Sequence, residues 1–241
     1  RFYAAVPGFG VYRSDNGGVA WQQVNNGLGN AQVNTGTAQR IELAVSPVGP
    51  NPVYAALISQ LAGAQGQTLN GLFRSLDLGA NWTALDLPQT NEGGNTVGLH
   101  PNPKPGQQGG IHFSMLADSN NANVLFVGGD RQPGSFPNSI GCEDFSGRHF
   151  RGNASLPAGT QFAAINCDNA GGTSPHADSR DMVFDANRNI IESDDGGIYR
   201  LVNPNSTNRR WVSLNGNIRV TEFYSVAYDP VNHAVIGGAQ D

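Results

Sequence analysis

Short apolar runs alternate with clusters of Gly, Asn, Asp and Pro along the whole chain, and no segment keeps a helical period for three turns. That pattern predicts strands joined by turns. The runs also repeat as a set of four. The clearest set reads IELAVSP (41–47), VYAALIS (53–59), GLFRS (71–75) and NWTALDL (81–87). A second set reads IHFSMLAD from 111, VLFVGGDR from 124, RHFRGN from 148 and TQFAAIN over 160–166. A third reads SRDMVFD from 179, NIIES from 189, GIYRLV from 197 and RRWVSLN from 209. Before the first set, RFYAAVP, GVYRSD and VAWQQV match strands two, three and four; after the last, FYSVAYDP and AVIGGAQ match strands one and two. Self-similar four-strand units of about 40–65 residues predict an all-β propeller of four-stranded antiparallel blades.

The expected organisation is a partial blade over 1–26, blades over about 40–88, 111–167 and 177–215, and a partial blade over 222–241. These make seventeen strands, one more than a four-bladed ring can place. The simplest account is an arc of about four blades from a larger propeller, and the alternative is a four-bladed ring with a spare strand. An open arc exposes apolar sheet faces. The remaining blades are then expected from the same or another chain. The start at Arg1, with no Met and no leader-like segment, reads as a processed end.

Composition narrows the class. The chain has 241 residues with 32 Gly and 14 Pro, which suits a turn-rich fold. Only 14% of residues are charged, well below the usual ~25%. Lys104 is the single lysine, and the net charge of −5 leaves no basic stripe for nucleic acid. No run of eighteen apolar residues is present, so no membrane span is expected. Cys142 and Cys167, 25 positions apart, are expected as a disulfide contributing about 3 kcal/mol, with two buried thiols as the alternative. With few lysines and many Asn and Gly, the pair points to an extracellular or periplasmic protein.

Between strands three and four of the first full set the chain reads SLDLGANW, with Ser75, Asp77, Gly79 and Trp82 in the pattern S-x-D-x-G-x-x-W. SDNGGVAW repeats it at Ser14, Asn16, Gly18 and Trp21, with Asn in place of Asp. This resembles the Asp-box (BNR) repeat of sialidases, sortilin-like domains and xyloglucanase-type glycoside hydrolases. The resemblance implies a structural turn: the Asp or Asn caps backbone donors, Gly supplies positive φ, and Trp packs between sheets. It also implies that this turn faces away from any active site. SDDGGIYR (193–200) is different, since it joins strand two to strand three and lacks the Trp. It resembles the T-D-x-G-G-x-Y-R element of xyloglucanase-type enzymes, which carries a catalytic Asp, and Asp194 is the matching residue.

In propellers of this type, the loops after strand two and the connections between blades share one rim, where binding and catalysis sit. Asp130 and Arg131 end one second strand there, and His176, Asp178 and Arg180 precede the next blade. Asp194 and Asp195 follow that blade's second strand, while Glu222 opens the last blade and Asp241 ends its second strand. The insert over 132–147 would overhang the same rim. Carboxylates, Arg and His around a concave rim suit a glycan or protein ligand. A glycosidase needs two carboxyls; Asp194 is one candidate, and nothing in the sequence shows the second. The competing reading makes Asp194 and Asp195 a hydrogen-bonded DDGG turn. A sialidase-like enzyme would use Glu222 with Tyr224, but the F-R-I-P element and an arginine triad are missing.

His176 with Asp178, and DSNNAN from Asp118, follow no known metal-loop spacing, so no metal or cofactor is expected. His176 reads instead as a tie from the interblade loop to a nearby carbonyl or carboxylate, and His100 as a loop residue. No G-x-S-x-G or phosphate-cradling loop occurs. Three functions follow: an extracellular recognition or structural module, a xyloglucanase-like hydrolase with Asp194 as one carboxyl, and a sialidase-like enzyme.

Overall fold

The computed structural model describes residues 1–62, 64, 66–101, 107–218 and 223–239. The repeated runs become antiparallel sheets with their strands in chain order. The first sheet holds β1 (Phe2–Val6), β2 (Gly10–Ser14) and β3 (Gln22–Gln23). The second holds β4 (Arg40–Val45), β5 (Val53–Gln60), β6 (Gln67–Ser75) and β7 (Thr83–Ala84). After a two-stranded hairpin, β8 (Thr90–Glu92) and β9 (Asn95–Val97), comes a third sheet of β10 (Ser114–Ala117), β11 (Val124–Arg131), β12 (Gly147–Asn153) and β13 (Phe162–Ala164). The fourth holds β14 (Asp181–Phe184), β15 (Ile190–Asp194), β16 (Gly197–Val202) and β17 (Arg210–Ser213), and β18 (Phe223–Asp229) pairs with β19 (Ala234–Ala239).

First strands of successive sheets lie beside one another: β1 by β4, β4 by β10, and β10 by β14. Up-and-down sheets arranged around their first strands are propeller blades. Among the described residues the first sheet and the β18–β19 pair do not join, so the blades form an open arc rather than a four-bladed ring. The hairpin β8–β9 was not expected. Its TNEGGNTV sequence is polar, and pairing through a Gly-Gly turn needs no apolar period.

The cores lie between sheets, and the alternation of β5 shows why. Tyr54, Ala56 and Ile58 face the third sheet, while Val53, Ala55 and Leu57 face the first. β11 divides in the same way, with Leu125 and Val127 on one side and Val124 and Phe126 on the other. Strands buried on both faces read as continuous apolar runs. This is why β5 and β11 stand out in the sequence as unbroken apolar runs.

The turn between β6 and β7 is wired by its side chains. Ser75 Oγ accepts from Gly79 N at 2.8 Å, and Asp77 Oδ1 accepts from Asn81 N at 2.8 Å. Hydrogen bonds from the Asn81 side chain and backbone hold the Asp77 carboxyl down at about 2. Gly79, at φ 88°, takes a conformation that a Cβ would strain. The turn after β2 repeats the wiring: Gly18 N donates to Ser14 Oγ at 2.9 Å and Ala20 N to Asn16 Oδ1 at 2.9 Å. The tryptophans differ. Trp82 is buried between the first two sheets and donates to Val24 O at 2.7 Å. Trp21, expected between sheets, is 44% exposed and folds back onto Gly18 O. It lies on the flank of the first sheet that no other described sheet covers. Trp211 reproduces the Trp82 arrangement two interfaces on, between the third and fourth sheets, donating to Ile165 O at 2.8 Å.

Cys142 and Cys167 form a disulfide with a Cα–Cα distance of 5.2 Å. It ties the 132–147 insert to the connection leading out of the third sheet. Disulfides of this kind form and persist mainly in oxidising compartments. No helix among the described residues is long and apolar enough to cross a membrane. Replacing both cysteines by Ser should cost about 3 kcal/mol, read as a melting temperature about 6–12 °C lower in a thermal scan.

Candidate functional site

In an up-and-down blade, the turn after strand two and the connection to the next blade fall at one end, opposite the turn after strand three. The turns at Asp77 and Asn16 therefore lie on one rim, and Asp130, Asp178 and Asp194 on the other. Two clusters of buried polar side chains occupy that second rim.

The first cluster is built on β15. Strand period two puts Ile190, Glu192 and Asp194 on one face, and all three are buried. The β15–β16 turn fixes Asp194, because its Oδ1 accepts from Gly196 N at 2.9 Å. The DDGG turn expected from sequence is thus present, and it uses only one carboxyl oxygen. Asp194 Oδ2 and Glu192 Oε2 are both buried, and no donor from elsewhere reaches them. The two carboxyls interact with each other. Burial raises Glu192 to about 7, against the hydrogen bonds from Ser179 and Asp194. Burial, with the Glu192 charge and hydrogen bond, raises Asp194 to about 8. At neutral pH this pair retains a proton that separate carboxyls would have lost.

Three groups close around the pair. His149, from β12, places Nε2 3.4 Å from Glu192 Oε1. Its Nδ1 faces the Asn166 amide nitrogen at 3.5 Å, which leaves Nε2 as the donor. Burial pushes this imidazole down to about 4, so it is neutral. Ser179 is buried and lies 2.6 Å from Ser114 across the blade interface. Gly128 of β11 permits this packing: a Cβ there would stand 2.5 Å from Ser179 Oγ and 2.7 Å from the His149 ring. His176 is exposed, packs against Gly196, and lies 3.2 Å from Ala177 O through Nδ1.

The second cluster joins three segments. His112 Nδ1 lies 3.3 Å from Asp130 Oδ1 at the end of β11 and 3.0 Å from Asp178 Oδ1 in the interblade connection. His112 and Asp130 are buried. His112 falls in a turn, with its N–H on Gln108 O, and not in the strand expected from 111; β10 begins at Ser114. His100 is in a loop as expected but is buried, and it supports this turn. Its Nδ1 accepts from Leu69 N at 3.2 Å, and its Nε2 lies 2.8 Å from His112 O. The clusters meet through consecutive residues, since Asp178 belongs to the second and Ser179 to the first.

The remaining rim residues are engaged separately. Arg180 pairs with Asp195 at 2.7 Å. Arg131 lies over the Phe145 ring at 3.9 Å, against the insert. Asp118, in the DSNNAN run, is a turn cap: Oδ1 accepts from Asn120 N and Asn121 N, and Oδ2 from Asn205. Glu222 and Asp241 lie outside the described residues, as does the side chain of Tyr224.

Three residues of the site were missed by sequence reasoning. Glu192 carried a usable signal, being a carboxyl two residues before Asp194 on a strand and so on the same buried face. His112 and His149 carried none, because only the packing of separate segments brings them to the rim.

No protein-family model and no curated protein matches this chain. Among solved structures it aligns with an ancestral GH74 enzyme at 19% identity and a TM-score of 0.48, over 98% of this chain and 25% of that one. It also aligns with the extracellular domain of a one-component system from B. thetaiotaomicron at 14% identity and a TM-score of 0.36, over 82% of this chain and 20% of that one. The chain therefore spans a quarter or less of the length of either structure.

Proposed function

We propose that this chain is an arc of an extracellular Asp-box propeller that engages glycans at the rim carrying Asp130, Asp178 and Asp194. The observation that carries the reading is the convergence of two buried polar clusters on one rim of a weakly charged protein. Fixed carboxyls, imidazoles and hydroxyls match the dense hydroxyls of a sugar. The blade limits at about 40–88, 111–167 and 177–215 belong to this reading. So do further blades from the same or another chain, packed on the exposed apolar side chains of β18 and β19, among them Val226 and Ile236.

A second reading, hydrolysis of the bound glycan, is favoured by one observation: Asp194 retains a proton at neutral pH, as a general acid must. The resemblance of SDDGGIYR to the xyloglucanase-type element points to the same residue. The test of binding is a thermal-shift and calorimetric screen of the full chain against neutral and acidic oligosaccharides, β-glucan oligomers included. Stabilisation by one class, weakened when Asp195 or Arg180 is replaced by Ala, is expected. No stabilisation by any class would end the glycan reading, and binding without turnover would leave the recognition module in place of the hydrolase.

A further inference from the structure

Asp130 and Asp178 bring two carboxylates towards one imidazole nitrogen, and one ligand atom from each of His112, Asp130 and Asp178 lies within 4.8 Å of the other two. We propose that His112, Asp130 and Asp178 form a site for a small divalent transition-metal cation of the Zn²⁺ or Mn²⁺ type, which clamps one blade to the next.

The spacing is the first argument. Donor atoms that share a cation at roughly 2.0–2.2 Å stand roughly 2.8–3.6 Å apart at octahedral or tetrahedral angles. The distances from His112 Nδ1, 3.0 Å to Asp178 and 3.3 Å to Asp130, fall in that interval. A second, independent argument is the state of the buried atoms. Asp130 is 1% exposed, and its Oδ1 and His112 Nδ1 have no partner beyond each other and Asp178. Such atoms are costly to leave unmet. Here they face each other and Asp178, so a cation between them would satisfy all three.

The donors are also held in place. Asp130 Oδ2 accepts from Gln108 N at 3.3 Å, and His100 supports the backbone carbonyl of His112. Asp178 sits at φ 73°, in the left-handed region, and the next residue is anchored by Ser179 N donating to Gly129 O at 2.9 Å. The Asp178 side chain is 25% exposed, which leaves a way in from the rim. One imidazole with two carboxylates is a donor set for borderline cations, whereas calcium prefers a larger set of oxygens. The sequence hides this site because positions 112, 130 and 178 come from three segments with no metal-loop spacing.

The test uses the untagged full chain, stripped with a chelator and titrated by calorimetry with Zn²⁺, Mn²⁺, Ca²⁺ and Mg²⁺, each alone. One equivalent of Zn²⁺ or Mn²⁺ is expected to bind, at least about tenfold more tightly than Ca²⁺ or Mg²⁺. At roughly a hundredfold excess over Kd the melting temperature should rise by about 5–10 °C. Asp130→Asn and Asp178→Asn should each weaken binding at least about tenfold. Asp178 is partly exposed, so its variant serves if Asp130→Asn fails to fold. No heat and no thermal shift at millimolar metal would overturn the proposal and leave a protonated His112 bridging two carboxylates. Unchanged binding in Asp178→Asn, or a preference for Ca²⁺, would overturn it as well.

Discussion

Between pH 6.5 and pH 9 the protein is expected to lose about 2–3 kcal/mol of stability through the Glu192–Asp194 pair, a fall of about 5–10 °C in melting temperature. The sign follows from the direction of the shifts. Both carboxyls titrate higher in the folded protein, at about 7 and about 8, than in the unfolded chain. The folded state therefore holds extra protons, and its advantage is complete below the unfolded values and disappears as pH rises through the folded ones. The groups packed on the pair are His149 from β12, Ser179 and His176 from the interblade connection, and Gly196 in the turn. His149 acts oppositely, because its folded value of about 4 makes its contribution disappear as pH falls. Its window ends near the unfolded value of about 6.5, but His112, where burial is outweighed by Asp130 and Asp178 and the imidazole is raised to about 9, also gives up stability on the alkaline side. Asp194→Asn keeps the shape and the uncharged state, and its amide can donate to Glu192. The variant should melt like the wild type near neutral pH and lose the carboxyl pair's share of the alkaline decline, leaving that of His112. The measurement is a series of melts in matched buffers; an equal slope in wild type and variant would show that the two carboxyls do not share a proton.

On the hydrolase reading proposed above, Asp194→Asn is also expected to lower turnover of a natural glycan by about 10²–10⁴-fold, with oligosaccharide affinity little changed. An amide cannot deliver the proton that a sugar leaving group requires. A substrate whose leaving group departs without protonation should therefore recover most of the rate in the variant, an outcome that a purely structural role for Asp194 would not produce. Glu192→Gln tests the same pair from the other side. Removing the Glu192 charge lowers Asp194, so the alkaline limb of the rate profile should move to lower pH. An unmoved limb, or equal losses on both substrates, would remove Asp194 from the chemistry.

Much of the fold could be read from local pattern. The runs at 124–131 and 197–202 coincide with β11 and β16; the first opens on an unbroken apolar stretch because sheets pack on both its faces. The Asp77 and Asn16 turns were legible for a related reason: all their hydrogen bonds close within a few residues. Trp21 shows the limit of that reasoning. Its turn matches that of Trp82, but the burial of an indole depends on what covers it.

By itself, the sequence determined the repeat, the direction of the strands, the two wired turns and the rim on which Asp130, Asp178 and Asp194 stand. These depend on spacing, period and loop length, which are properties of the chain taken a few residues at a time. Tertiary structure decided which carboxyl shares a proton with which, and how far burial shifts them. It also brought His112 between Asp130 and Asp178, and His149 onto Glu192. Those outcomes depend on distance and desolvation between groups up to 66 positions apart in the chain (His112 to Asp178), and only the packing of one blade on the next sets either.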